Sequence, residues 1–284
     1  MSEISFHGAN YWTKILLSYL HSPDHPMKTR IFQSIAKKIF PHGILVKNHF
    51  GTNLYVQPDE YIGWSILYTG GYEENTLNLG KKLLENGGNF LDIGANFGLF
   101  TCTLGGIPGV RSYSIEPFAK EFIKLQKNLS INPRINAQLF NVALDSSHGL
   151  LKIEDFKAGN SGTVRILLDD EQVDSRRHAI SAVTLQSLLV YAQVSNVTLL
   201  KIDVEGYELP VLEGLDWESP LRPRHIITEF TDYSSRAKGV GRKSLWEFLT
   251  ARGYEGFTVH GQPLSLEQSM PEDNAWFQDV NYMG

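Results

Sequence analysis

From residue 89 onward the chain alternates short apolar runs with stretches of helical periodicity, and no other feature constrains its fold as much. The runs NFLDIGA, SYSIEP, AQLFNVAL, VTLLKID, HIITEF, YEGFTVH and WFQDVNY read as about seven strands. Helical patterns begin near Phe97, cover 118–129 and 184–192, resume from about Glu208, and cover 242–252. Strands and helices taking turns predict an α/β fold, with a mostly parallel, doubly wound sheet covered by helices on both faces. Between 150 and 167, LLKIEDF and TVRILL break the alternation and read as an inserted hairpin.

Upstream, Tyr11, Trp12, Ile15, Leu16, Tyr19 and Leu20, then Ile31, Ile35 and Ile39, recur at three- and four-residue spacings. They predict two short amphipathic helices, broken between Pro23 and Pro26. GILVKNHFGTNLYVQ, residues 43–57, has two β-rich runs around Gly51 and predicts a hairpin. Residues 73–86 read as a helix entering the main domain. The expected organisation is a helical and hairpin appendage over 1–70 and a main domain over 71–284. Packing against that domain, a membrane-surface role and a homo-oligomer contact all remain open for the appendage.

The charge pattern narrows the partners. A net charge of -5 over 284 residues, with Lys and Arg scattered, argues against nucleic acid, whose phosphates call for clustered cations. One cysteine, Cys102, rules out an intrachain disulfide and fits a reducing cytoplasm. It falls within the helix after residue 97 and reads as a small core residue. The N-terminus lacks signal-peptide order, and no apolar run reaches the ~18 residues that span a bilayer, so no transmembrane segment is expected.

The segment Asn89–Gly98 ends a buried strand and opens a helix, with glycines at 94 and 98 where a ligand would approach the backbone. In open α/β sheets that loop faces the ligand crevice. Asp92 stands at the strand end. Glu116 closes the next strand 22 positions after Gly94, near the offset of ~20 residues at which an acid accepts ribose hydroxyls. Together these features point to a nucleotide-containing ligand. The dinucleotide fingerprint G-x-G-x-x-G is not met, because Asn96 stands in place of the middle glycine in D-x-G-x-N-x-G. S-adenosylmethionine (SAM), which has no phosphate and carries a zwitterionic tail, suits the loop better than NAD, whose oxidoreductases are the alternative.

Gly71-Tyr-Glu73, Leu91-Asp-Ile-Gly-Ala-Asn-Phe-Gly98, Ser114-Ile-Glu-Pro117, Asn141-Val-Ala-Leu144, Leu200-Lys-Ile-Asp-Val-Glu-Gly-Tyr-Glu208 and Val211-Leu-Glu-Gly214 together resemble the FkbM family of SAM-dependent methyltransferases. The resemblance runs in order from about residue 62 to 230. It implies a seven-stranded class I methyltransferase fold of Rossmann-like type and methyl transfer to oxygen, often a sugar hydroxyl in glycan or natural-product pathways. It also implies Asp92, Gly94, Ala95, Asn96 and Gly98 at the methionine portion, Glu116 and Pro117 at the ribose, and Asn141, Val142 and Ala143 at the adenine. Similar sequences often carry Thr-Leu-Asp where this chain has Thr184-Leu-Gln186, which puts any role of that carboxylate in doubt.

A sugar hydroxyl is a weak nucleophile, so a base or a metal ion should take or polarise its proton. Asp203 and Glu205 follow the strand VTLLKID and are the candidate catalytic residues; Glu205 reads equally well as a cap of the next helix. Asp203, Glu229 and Asp232 at adjacent strand ends raise a candidate Mg²⁺ site. Tyr72 and Glu73 read as a lid over the methionine end, or Glu73 as a first-turn helix residue. Asn160-Ser161-Gly162 reads as a plain turn or as an arm toward the adenine or acceptor. Phe230, Tyr233, Trp246, Trp276 and Phe277 read as core before sugar-stacking faces. The acceptor is expected to be a small molecule or glycan. A nucleic-acid N-methyltransferase would place an Asn/Asp-Pro-Pro-Tyr motif where this chain has Asp203-Val-Glu-Gly206, and a non-catalytic SAM-binding protein stays open.

Overall fold

The computed structural model describes residues 11–23, 25, 27–155, 164–167, 177–231, 241–266 and 273–282. Helices α1 (Tyr11–Leu20) and α2 (Lys28–Ile39) precede the antiparallel hairpin of β1 (Ile44–Lys47) and β2 (Asn53–Val56). Helices α3 (Tyr61–Thr69) and α4 (Glu74–Leu83) lead to β3 (Gly88–Ile93), followed by α5 (Leu99–Leu104), β4 (Val110–Ile115), α6 (Ala119–Ser130) and β5 (Asn136–Phe140). Next come β6 (Ala143–Leu144), β7 (Gly149–Asp155), β8 (Val164–Leu167), β9 (Arg177–Val183) and α7 (Leu185–Tyr191). The chain closes with β10 (Val197–Ile202), α8 (Glu208–Glu213), β11 (Pro223–Glu229), α9 (Arg242–Thr250), β12 (Tyr254–Thr258) and β13 (Asn274–Asp279).

Seven strands form the main sheet in the order β12-β13-β11-β10-β3-β4-β5. Neighbours from β11 to β5 pair in parallel, and β13 runs antiparallel to β11 and β12. The chain builds outward from β3 to β5, then crosses back to β10, so the order reverses between β3 and β10. That reversal opens a crevice at the carboxyl ends of the strands. Alternating residues feed two apolar clusters, as a sheet covered on both faces requires. Leu91, Leu200 and Ile226 face α7, α8 and α9. Phe90, Leu199 and Ile227 share a cluster with Phe32 of α2, Leu54 of β2, Leu77 of α4 and Leu104 of α5.

Two elements escape sequence periodicity. Helix α3 (YIGWSILYT) is apolar on most sides, so no polar face marks its 3.6-residue period, and it stops at Gly70 with φ 89°. The run AQLFNVAL is not one strand: β5 joins the main sheet, while β6 pairs with β9 in a four-stranded sheet of order β6-β9-β7-β8. The inserted hairpin is the β7–β8 pair of that sheet, and β9 is a strand hidden by the lack of regular alternation in RHAISAV. Among the described residues no helix is long and apolar enough to cross a membrane.

We propose that the division near residue 70 separates topology and not cores. The N-terminal elements share their apolar cluster with β3 and α5. A polar tie reinforces it: fully buried Asn128 of α6 accepts from Tyr55 N (2.6 Å) and donates to Tyr55 O (3.2 Å) and Phe97 O (2.9 Å). Asn128→Leu keeps the volume and strands those backbone groups. Unfolding free energy in urea is expected to drop by about 2–4 kcal/mol; a drop below about 1 kcal/mol would show that the tie does not hold the hairpin.

Candidate active site

The crevice encloses a cavity of about 290 Å³ at the ends of β3, β4 and β10, close to the lower end of the roughly 300–1,000 Å³ usual for small-molecule sites. Gly94, Ala95 and Asn96 of the loop after β3 line it. Gly94 has φ 78°, and a Cβ there would lie 1.9 Å from the carbonyl oxygen of Asp203. Its glycine is therefore demanded by the β10 end and a left-handed backbone, a reason the sequence alone does not show. Gly98 lies outside the cavity lining; its φ of 92° opens α5, and a Cβ would strike Leu125 at 2.6 Å. Asn96 is also left-handed, at φ 50°, and its Oδ1 accepts from Phe97 N at 2.7 Å.

Asp92 is 1 % exposed, and its Oδ2 accepts from Thr101 Oγ1 at 2.6 Å. Its Oδ1 has no partner. Burial raises its pKa, against the pull of the Lys201 charge. Glu116 is buried beside the same loop: Oε2 accepts from Asn96 N and Oε1 from Phe118 N, both at 2.8 Å. Burial pushes its pKa up to about 7 although those two amides favour the anion. Pro117, Val142 and Ala143 line the cavity. Asn141 does not; its amide donates to Glu116 O (2.8 Å) and Pro117 O (3.0 Å) and braces the turn from behind.

Lys201 is a residue the motif reading passed over. In parallel register it sits beside Asp92, and its ammonium lies 3.0 Å from Asp203 Oδ2 and 4.4 Å from the Phe100 ring centroid. Burial would lower its pKa, but the charges of Asp203, Glu73 and Asp92 outweigh burial and hold it above the ordinary lysine value. The signal was in the sequence: a lysine inside an apolar strand, two positions before Asp203 and thus on the same side. Glu73 lines the cavity at the start of α4 with φ 49°, and its Oε2 accepts from Asn274 Nδ2 at 3.0 Å. Burial carries its pKa to about 7, moderated by Lys201. Tyr72, whose pKa burial and Glu73 also raise, lines the cavity beside it.

Asp203 and Glu205 both reach the cavity, Glu205 with φ 55°. Glu208, the first residue of α8, fastens the turn that carries Glu205: its Oε1 accepts from Val204 N (3.1 Å) and Gly206 N (3.2 Å). Glu229 lines the cavity and takes the Thr231 hydroxyl at 2.8 Å. Asp232, Tyr233 and Asn160-Ser161-Gly162 lie outside the described residues. Among the described residues no group of three or more His, Cys, Asp or Glu side chains is arranged to hold a metal ion. Phe230 and Phe277 are core, Trp246 and Trp276 pack against it, and Cys102 is buried. Gln186 stands away from the cavity and accepts from Asp216 N.

Residues 92–255 match the family described as "Methyltransferase FkbM domain". The chain belongs to the FkbM methyltransferase family. Its sheet, with one antiparallel strand between the last two parallel ones, is that of a class I methyltransferase. The chain is 25 % identical over 246 residues to "AMB antimetabolite synthetase AmbE" of Pseudomonas aeruginosa, covering 74 % of this chain and 11 % of that protein. It is 26 % identical over 166 residues to "Hexuronic acid methyltransferase AglP" of Haloferax volcanii, covering 58 % and 65 %. It thus spans less than two thirds of the length of either relative. Among solved structures, the METTL16 MTase domain aligns with a TM-score of 0.49 at 11 % identity, covering 98 % of this chain and 96 % of that one.

Burial raises the pKa of Glu73, Glu116 and Glu208 from the ordinary 4.5 to about 7. Between those values the folded chain binds protons that the unfolded chain releases, so stability falls as pH rises. Urea midpoints of the ligand-free protein are expected to decline from pH 5 to pH 8, and Glu116→Gln should flatten that slope. A midpoint that rises over the same interval would contradict the burial of these carboxylates.

Proposed function

We propose that this chain is a SAM-dependent O-methyltransferase acting on a sugar hydroxyl or on a glycosylated or natural-product small molecule. The observation that carries the reading is the charge of the cavity. Its described lining sets eight carboxylates, Glu73, Asp92, Glu116, Asp203, Glu205 and Glu229 among them, against the single ammonium of Lys201, and Asp92 Oδ1 is buried without a donor. Such a site is matched by a ligand that brings a cation and hydrogen-bond donors. SAM fits: its sulfonium and ammonium are cationic, and its ribose offers two hydroxyls.

In this reading Asp92, with Gly94, Ala95 and Asn96, holds the methionine portion, and Glu73 closes over it. Each oxygen of Glu116 accepts one backbone amide and has lone-pair capacity left for a ribose hydroxyl. Val142, Ala143 and Pro117 flank the adenine. SAM supplies an electrophilic methyl group on sulfur. Asp203 would take the proton of the acceptor hydroxyl, with the sulfur of S-adenosylhomocysteine as the leaving group. Lys201 fixes the Asp203 carboxylate, and Tyr72, Ile62 and Phe100, all in the cavity lining, keep water away. A sugar acceptor is favoured by the relative described as a hexuronic acid methyltransferase.

Turnover with methyl-labelled SAM and a panel of glycans, followed by mass spectrometry, identifies the product. Asp203→Asn is expected to lower kcat by about 10²–10⁴-fold with SAM affinity unchanged within a factor of about two, and Glu205→Gln to cost less. Unimpaired transfer by Asp203→Asn would remove Asp203 as the base, and calorimetric binding of NAD without SAM would restore the oxidoreductase alternative. The Mg²⁺ question has its own measurement. Because Lys201 already pairs with Asp203, exhaustive dialysis against EDTA is expected to leave turnover unchanged; a loss restored by Mg²⁺ would put an ion at Asp203 and Glu229.

A further inference from the structure

Asn274 opens β13 directly opposite Glu229 of β11 and is 7 % exposed. Its Nδ2 donates to Glu73 Oε2 at 3.0 Å and reaches Thr76 Oγ1 at 3.5 Å. Its Oδ1 is buried without a partner, although the residue lines the cavity. A buried amide oxygen without a donor is rare in folded proteins, and a donor on a ligand would satisfy it. Position says which ligand. The strands β4, β3, β10, β11 and β13 are consecutive neighbours, so Asn274 stands four strand spacings, on the order of 19 Å, from the strand that ends at Glu116. A cofactor held by its ribose at Glu116 has its methyl end toward β10, and the space beyond belongs to the acceptor.

The charge of that end is one-sided. Glu73, Asp203, Glu205, Glu229 and Asp273 line it, and Lys201 is the one cation lining the cavity among the described residues. Lys201 is already engaged with Asp203 and seated against Phe100. An acceptor bearing its own carboxylate would enter a low-dielectric space among like charges with no uncommitted side-chain cation of the described lining to meet it. Hydroxyl groups suffer no such penalty, since carboxylate and amide oxygens are acceptors and a polyol supplies hydrogens.

We propose that Glu73, Glu229 and Asn274 form an acceptor subsite that takes an uncharged polyol through its hydroxyl hydrogens and turns away an acceptor that carries a carboxylate. Asn274 Oδ1 receives a hydroxyl neighbouring the one methylated. The assignment rests on the methyl-transfer reading above and adds to it the charge class of the substrate and the residue that selects it.

Saturation-transfer difference NMR tests it, on the full chain with S-adenosylhomocysteine present. The probes are methyl glycosides of neutral hexoses and the corresponding uronates at equal concentration. Neutral glycosides are expected to show saturation transfer at least tenfold above the uronates, and Asn274→Leu to reduce that signal at least fivefold. Glu229→Gln, which removes one negative charge and keeps the shape, should raise the uronate-to-neutral ratio at least threefold, and it carries the test if Asn274→Leu fails to fold. Uronate signals equal to or above the neutral ones, ratios indifferent to Glu229→Gln, or no saturation of either class would overturn the proposal. The methyl-transfer reading fails on a different result, a labelled product bearing its methyl on nitrogen or carbon, and that result leaves the binding preference measurable.

Discussion

A lysine buried inside a sheet is tolerated only where carboxylates surround it, and this molecule organises its cavity around one. Lys201 is 3 % exposed at the end of β10, next to the reversal of strand order. The carboxylates that act on it come from separate elements: Asp203 just past the same strand, Asp92 from β3, and Glu73 from the start of α4. Glu73 is held in turn by Asn274 of β13. One ammonium thus couples the centre of the sheet, its antiparallel strand β13 and the N-terminal helices. Losing it would leave several buried anions uncompensated, which costs more than the pair itself contributes.

The same cavity concentrates backbone strain. Among the described residues, the non-glycine positions with positive φ are Glu73, Asn96, Gln193 and Glu205, and only Gln193 lies away from the lining. Conformations of this kind cost on the order of 1–3 kcal/mol and persist where surrounding bonds over-determine them. Asn96 is fixed on both sides, by its own bond to Phe97 N and by its amide to Glu116. The turn carrying Glu205 is gripped by Glu208 through Val204 N and Gly206 N. Glu73 is anchored by Asn274. Strained loops with rigid partners present their side chains in one orientation, which an in-line methyl transfer requires.

What the sequence reveals follows from how local each cause is. The seven-strand alternation, the hairpin at Gly51 and the loop from Asp92 to Gly98 depend on neighbouring residues, and they are legible. Helix α3 is not, because its apolar residues surround the axis. Strand β9 is not, because its partners β6 and β7 lie more than twenty residues away and its run RHAISAV has no regular alternation. In the site, Asp92, Glu116 and Asp203 announce themselves by their place at strand ends. Asn274 carries no local mark at all: its importance arises from Glu73, 201 positions away. Gly94 shows the opposite failing, since its presence is visible and its reason, the Asp203 carbonyl, is not.

These distances in sequence bear on what the N-terminal elements do. His49 N bonds Gly70 O at 3.3 Å, Asn48 reaches Thr103 of α5 at 3.2 Å, and Tyr61 meets Tyr72 edge to face. The hairpin and α3 therefore brace the turn that carries Tyr72 and Glu73 over the crevice. The central segment, with its glycine loop and strand-end acids, builds the half of the cavity assigned to the cofactor. The other half draws on both ends of the chain, Glu73 from one and Asn274 from the other. Of the three residues proposed to meet the acceptor, Glu73 and Asn274 lie outside residues 92–255 and Glu229 within them, so the proposed acceptor preference can shift at both ends of the chain while the central loop stays the same.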